Sequence, residues 1–336
     1  MRISLGLPTQ RVDRQGEFVT GAAIAEMARA AESAGFDAVF VTEHPIPDTR
    51  WMETGGHHAL DPFVALSFAA AATTTLRLQT HLCVLPYRNP FLTAKSVASL
   101  DVLSGGRLIF GVGTGYLHAE FAALGVDFAE RNELTDEAIF AMKAAWSGEP
   151  VDLAGRHFRA SGNVALPRPV QRPGPPIWIG GNSTRAIRRA VELADGWAPM
   201  PNSAATAARR RSPALESLRD LERRISYARD HAASVGRRTP LTVACSLGGL
   251  QMETSGAGAE DVLVDVARQL AGAGVTYLYG GVLRPVDSRA EFVAEVVRMG
   301  ETLVPRIAAI DAGDGAGDGA GDGVGAGDGA GSGEAR

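Results

Sequence analysis

His44 is the side chain best placed to move a proton. It follows an apolar, strand-like run, Ala38–Val41, and the pair Thr42-Glu43, and it precedes Pro45. A histidine on a proline-stiffened strand end can donate a hydrogen bond to a ligand or relay a proton near neutral pH. It could also do no more than tie down a neighbouring loop. Two glycine clusters offer a different chemistry. In Ser104–Tyr116 (SGGRLIFGVGTGY) a glycine turn precedes a short strand, Arg107–Phe110. Gly111, Gly113 and Gly115 then stand where that strand should end, and glycine there lets backbone approach a ligand closely. Tyr116 takes the last glycine place of a GxGxxG, so a dinucleotide loop is weakly supported. Gly180-Gly181-Asn182-Ser183 closes another strand and opens a helix, whose free N–H groups and positive dipole end suit a phosphate. An ordinary capped strand–helix turn accounts for the same residues equally well.

The other candidates carry less. His57-His58 lie in a glycine-bearing loop and are expected to be exposed. No cysteine or acid stands at ligand spacing around them, which argues against a metal site. His81 is expected to be satisfied in the core. Cys83 and Cys245 sit in separate apolar runs and form neither a disulfide framework nor a metal cluster, which fits a reducing cytosol. No G-x-S-x-G elbow, Walker motif or Cys/His cluster is present.

The elements that must position these groups alternate. The pattern predicts strands at Ile3–Pro8, Ala38–Val41, Leu76–Leu85, Leu108–Phe110, Pro176–Gly180, Asp195–Met200, Leu241–Leu247 and Thr276–Val282. Helices are predicted at Thr20–Ala34, Pro62–Thr73, Phe91–Leu103, Thr135–Trp146, Ser183–Ala194, Pro213–Ser234, Val262–Ala273 and Arg289–Val304, with an irregular stretch from Ser147 to Pro175. Eight strands alternating with helices imply a parallel sheet with helical crossovers, and eight is the number that closes into a (β/α)8 TIM barrel. An open doubly wound sheet would more often carry its glycine fingerprint after the first strand. In a barrel, the strand ends named above fall on the face where catalytic groups gather.

Composition sets the remaining bounds. The chain has 336 residues, 45% of them hydrophobic, and a formal charge of −5. Residues 311–336, a degenerate Gly/Ala/Asp repeat, hold five Asp, one Glu and one Arg, so the body is neutral. A neutral body gives no electrostatic case for nucleic acid. No run approaches the ~18 apolar residues that span a bilayer, and MRISLGLPTQ has no signal-peptide core. The expectation is one barrel domain over residues 1–308, a disordered tail over 309–336, and a cytoplasmic location.

Several blocks, in this order and spacing, resemble the luciferase-like monooxygenase superfamily, in its branch that uses the deazaflavin coenzyme F420. They are AESAGFDAVFVTEH, LPYRNPFLTAKSVASLDVLSGGRLIFGVGTGY, EFAALGVDFAERNELTDEAI, LPRPVQRPGPPIW and IGGNS with ELADGW, spread over residues 1–305. The resemblance implies a (β/α)8 barrel, a homodimer, and a flavin or deazaflavin in the mouth. It puts His44 beside the cofactor ring and Cys83-Val84 where many members carry a non-prolyl cis peptide. It puts the phosphate at Gly180, Gly181, Asn182 and Ser183, and Thr42, Glu43, Thr80, Gly113, Thr114, Gly115 and Tyr116 around the cleft. Trp51, Tyr87 and Tyr116 would line the substrate side. Members that oxidise a sugar phosphate carry a glutamate after the GxG, where this chain has Thr114, and a tryptophan where it has Asp48. That reaction is therefore not expected, and Pro45 after His44 departs from the true luciferases. The implied function is F420-dependent hydride transfer to or from a small organic substrate. The alternatives are an FMN-dependent monooxygenase and a non-catalytic flavin- or deazaflavin-binding protein.

Overall fold

The computed structural model describes residues 1–252, 254 and 258–311. Strand β1 (Arg2–Gly6) leads through the single turn α1 (Gln15–Phe18) to α2 (Gly21–Ser33). Strand β2 (Ala38–Val41) is followed by α3 (Thr49–Glu53) and α4 (Pro62–Ala72). Strands β3 (Arg77–Thr80) and β4 (Cys83–Val84) precede α5 (Pro90–Ser104), and β5 (Leu108–Gly113) precedes α6 (His118–Ala123) and α7 (Arg131–Trp146). A hairpin of β6 (Val151–Ala154) and β7 (Arg159–Asn163) intervenes. Then β8 (Ile177–Gly180) leads to α8 (Thr184–Leu193), and β9 (Gly196–Ala198) to α9 (Ala204–Arg210) and α10 (Leu218–Ser234). Last come β10 (Thr242–Ser246) with α11 (Ala259–Ala273) and β11 (Tyr277–Gly280) with α12 (Arg289–Thr302) and α13 (Val304–Ala308).

Parallel pairing runs β1–β2–β3–β5–β8–β9–β10–β11 and back to β1, so the sheet closes into an eight-stranded barrel. Strands β3 and β4 are two halves of one stave, and both pair with β5, Leu78 with Leu108 and Cys83 with Val112. Local chemistry sets the helix ends. The Thr20 hydroxyl accepts from Ala23 N–H at 3.1 Å, and the Asp61 carboxylate caps α4 ahead of Pro62. Gly105 closes α5 at φ +70°, a left-handed conformation that glycine adopts without steric cost.

Two cores follow from strand alternation. Outward residues such as Leu5, Val39, Leu78, Phe110 and Ile179 pack under the helices. The inward set of Ala38, Phe40, Ile109, Trp178, Ala198, Ala244, Tyr277 and Tyr279 fills the barrel. His81 joins the inward set, its ring 4.3 Å from that of Tyr279 and 4.9 Å from that of Phe40.

The structure departs from the sequence pattern in several places. The strand expected over Leu76–Leu85 is interrupted, because a cis peptide joins His81 to Leu82. That bond lies two peptide bonds before the expected Cys83-Val84 position, and β4 resumes regular pairing at Cys83. The fourth barrel strand does not stop at Phe110. It continues through Gly111 to Gly113, held by pairing of Val112 with Cys83 and Ile179. The stretch 147–175 contains the β6–β7 hairpin. The helix expected from Pro213 starts at Leu218 behind the Ser217 cap, because Leu215 is buried and exchanges backbone hydrogen bonds with Asn202. Helices α3, α6 and α9 had no sequence signal. At the C-terminal end α13 closes at Ala308 and Ile310 still packs on the core. The rest of the expected tail, residues 312–336, lies outside the described residues.

Candidate active site

His44 follows β2 at the C-terminal face of the barrel, and a carboxylate lies against it. Glu120, 1% exposed on α6, places Oε2 3.5 Å from His44 Nδ1. The same carboxylate accepts from the Tyr87 hydroxyl at 2.9 Å and from Ile46 N–H at 3.3 Å. Burial and the Glu120 carboxylate together push the Tyr87 phenol well above its ordinary range, so it stays a donor. Three aromatic rings surround the imidazole. Trp51 lies 4.4 Å away, His57 4.8 Å and Tyr116 6.1 Å, between ring centroids. His57 is therefore half-buried against His44, where its loop had suggested exposure. Burial, with His44 and Arg210 nearby, holds it below the usual imidazole range. Asp48 accepts from Trp51 N–H at 2.9 Å and starts α3, so a tryptophan does reach His44, from later in the loop than the position that Asp48 occupies.

Beside this cluster the barrel interior is stripped of side chains. A Cβ on Gly111 would stand 2.1 Å from the Thr80 carbonyl oxygen, and one on Gly180 would stand 2.0 Å from Leu82 Cδ1. The nearest neighbours of a Cβ on Gly113 are also Leu82 atoms, at 3.5 Å. Gly180 thus makes room for Leu82, the partly exposed residue after the cis bond, and Gly111 for the Thr80 backbone. Thr42 Oγ1 is buried and makes no hydrogen bond, nor do Gln79 Oε1 and Nε2, while His44 Nδ1 faces the Glu120 carboxylate. An apolar floor, aromatic walls and unpaired donors and acceptors fit a planar heteroaromatic ring with a polar edge. The residues present therefore fit a flavin or deazaflavin.

The remaining sequence-predicted residues divide by what they already hold. Glu43 is buried, with one oxygen on Val84 N–H at 2.6 Å and the other on Arg88, which reaches on to Asp61 at 2.7 Å. Burial raises its carboxyl, against the pull of Arg88. It fastens the β4 segment to the end of β2. Thr80 gives its hydroxyl to the Gly111 carbonyl at 2.7 Å. Cys83 faces the outer core, and burial pushes its thiol well up. Val84 packs where a Cβ on Gly115 would meet it at 2.7 Å, and Gly115 sits at φ +76°. Thr114 and Tyr116 flank that turn. At β8, Gly180 faces inward and Gly181 adopts φ +118°. Asn182 is buried and clips the loop after β9: its amide donates to Met200 O at 2.8 Å and Pro213 O at 3.0 Å, and its carbonyl oxygen accepts from Met200 N–H at 2.9 Å. Ser183 caps α8 through Ala186 N–H at 3.1 Å. Side-chain oxygens there are committed to the protein, which leaves backbone N–H groups of the first turn for an anion. Glu120, Leu82 and His57 are the members of the cluster that sequence reasoning missed. Among the described residues no three His, Cys, Asp or Glu side chains gather as metal ligands.

A barrel of this topology, with such a mouth, is shared by a known family. Residues 1–247 match the luciferase-like monooxygenase family, and the chain belongs to it. It is 31% identical over 173 residues to the F420-dependent hydroxymycolic acid dehydrogenase of Mycobacterium tuberculosis, across 51% of this chain and 46% of that protein. Two solved structures share the fold. The coenzyme F420-dependent tetrahydromethanopterin reductase of Methanopyrus kandleri superposes with a TM-score of 0.69 at 18% identity, covering 91% of this chain and 99% of that one. The FMN-bound oxygenating constituent of 3,6-diketocamphane monooxygenase from Pseudomonas putida gives 0.70 at 17%, covering 91% and 98%. The family consists of oxidoreductases and monooxygenases, and no helix among the described residues is long and apolar enough to cross a membrane.

Proposed function

We propose that this chain is an F420-dependent oxidoreductase acting on a small organic substrate in the barrel mouth. The observation that carries the reading is the buried His44–Glu120 contact, under Trp51, His57 and Tyr116 and beside the Leu82 floor. The F420-dependent relative is the second support. Bound F420 supplies a hydride donor or acceptor at its C5. Hydride loss from an alcohol or amine carbon frees a proton from the neighbouring heteroatom, hydride gain by a carbonyl or imine carbon requires one, and His44 would hold that proton at Nε2. Its Nδ1 then faces Glu120, 3.5 Å away, which orients the ring. Tyr87 and Ile46 N–H hold the carboxylate in place, so Glu120 is a positioning residue. Leu82, Trp51 and Tyr116 would exclude water from the reacting face. Thr42 Oγ1 is free to bond the ring edge, and the turn that enters α8 would take the cofactor phosphate through the backbone N–H groups of Asn182, Ser183 and Thr184, since Gly181 N–H is given to the Ala198 carbonyl.

Titration of the apo-protein with F420 and with FMN, followed by fluorescence, tests the cofactor. F420 binding is expected. Tight FMN binding with none for F420 would move the chain to the monooxygenase side of the family. Bound cofactor that never changes redox state with any donor or acceptor would leave only a binding protein.

A further inference from the structure

We infer that the rim of the mouth holds an anion subsite, formed by Arg131, Arg210 and Arg211, which selects substrates carrying a carboxylate or phosphate. The inference deepens the proposed function, since it takes His44 as the reacting end. Arg210, the last residue of α9, stacks its guanidinium over Tyr116 at 5.5 Å. Tyr116 in turn meets the His44 ring, so Arg210 stands two ring contacts from the proton-transfer site. Arg211 follows at φ +50°, a left-handed conformation rare outside glycine, and its guanidinium lies 5.8 Å from the Phe128 ring. Arg131, at the start of α7, covers the same ring at 3.9 Å, and His118 stacks on it at 3.5 Å.

Charge accounting separates this cluster from an ordinary solvated surface. The nearby acids belong to other arginines: Glu133 and Asp136 pair with Arg185, and Asp136 also with Arg189. Among the described residues Arg131, Arg210 and Arg211 make no ion pair with a carboxylate. Two guanidiniums, of Arg131 and Arg211, therefore share the Phe128 ring, and a third, of Arg210, covers Tyr116, with no carboxylate paired to any of them among the described residues. After burial, Arg211 is the next cause that lowers Arg131, and Arg211 and Arg131 together lower His118. Aromatic platforms fix the planes of the forks, and a fixed fork favours bidentate contact with a planar or tetrahedral anion. Phosphate and carboxylate share this chemistry, and a cofactor's anionic side chain could supply it as well as a substrate could.

The test uses the full chain without cofactor. Intrinsic tryptophan fluorescence, with Trp51 beside His44, is followed while inorganic phosphate replaces chloride at constant ionic strength. Saturable binding is expected, with affinity at least 10-fold weaker in Arg210→Gln/Arg211→Gln; Arg210→Gln alone serves if the double variant does not fold. A non-saturating response, or equal affinity in the variant, overturns the subsite. F420 and its ring fragment lacking phosphate and glutamyl groups then identify the source. Unchanged F420 affinity in the variant supports a substrate anion. A 10-fold loss for F420 with none for the fragment assigns the anion to the cofactor tail and overturns the substrate class. The phosphate arm needs no cofactor, so it stands even if F420 does not bind.

Discussion

Adding one methyl group at each of three inward glycines should give three different outcomes. At Gly111 the new Cβ would stand 2.1 Å from the Thr80 carbonyl oxygen. That is roughly 1 Å inside the ~3.3 Å at which carbon and carbonyl oxygen meet even in close sheet contacts. The obstacle is backbone in a paired strand, so the ladder between β3 and β5 must open. The shift also disturbs the Thr80 hydroxyl bond to the Gly111 carbonyl. Overpacking costs about 1–3 kcal/mol or more, and a lost buried hydrogen bond adds ~1 kcal/mol. The Gly-to-Ala gain in chain entropy returns only about 0.4–1 kcal/mol. Gly111→Ala should therefore destabilise by ~3 kcal/mol, a fall in Tm of about 5 °C for a chain of this size. At Gly180 the obstacle is Leu82 Cδ1 at 2.0 Å, the end of a side chain that can rotate. Gly180→Ala should cost ~1–2 kcal/mol, and Leu82→Ala in the same chain should recover most of it as a coupling energy. At Gly113 the nearest atoms are at 3.5 Å, an ordinary contact, so Gly113→Ala should stay within ~0.5 kcal/mol of the parent. Thermal scans and urea titrations compare the parent, the three glycine variants, Leu82→Ala and the double variant. If Gly111→Ala melts with the parent, or if Gly113→Ala is the worst of the three, the account of these glycines as space for Leu82 and Thr80 is wrong.

Other consequences concern the site and the scaffold. His44→Ala and Glu120→Gln should each lower kcat by ~10²-fold, the usual contribution of a positioned acid or base, while cofactor affinity measured by titration stays within about twofold for Glu120→Gln; unchanged kcat in both variants would remove the proton-transfer assignment. His81 is fully buried in the barrel, and burial lowers its imidazole to about 4. The unfolded chain binds that proton near 6.5, so this contribution is fully present above that pH and is lost as pH falls towards 4. Its upper bound is ~3 kcal/mol, and His81→Leu should flatten the fall in urea stability between pH 7 and pH 4.5 by about 2 kcal/mol; an unaltered slope refutes it. Arg107 donates to the carbonyls of Ala70, Thr73, Leu76 and Ser104 and to the Thr73 hydroxyl. Arg107→Ala should cost ~2–3 kcal/mol by stranding those acceptors, and Arg107→Lys should recover little because one ammonium cannot span the fork; calorimetry on the two variants decides.

What could be read beforehand was what repeats along the chain. Eight strand–helix units gave the barrel, and turn chemistry located most helix starts, because caps and hydrophobic period are local signals. The members of the site that escaped notice depend on non-local packing. Glu120 lies on a two-turn helix with no N-cap hydrogen bond and no visible period, and it becomes a partner of His44 only when the loop after β5 folds across the end of β2. His57 looked exposed because its loop is polar and glycine-bearing, yet the ring of Trp51 draws it down onto His44. The glycines of β5 mislead in the opposite sense. Their spacing suggests a loop that approaches a ligand, and Gly115 does turn there, but Gly111 and Gly113 are inside a strand. The missing side chain at Gly111 is explained by the Thr80 carbonyl on the neighbouring stave, and that at Gly180 on β8 by Leu82. A smaller residue at position 82 should enlarge the cleft without altering any residue that sequence reasoning placed there, and Leu82→Ala is the variant in which cofactor affinity should change while the His44–Glu120 contact persists.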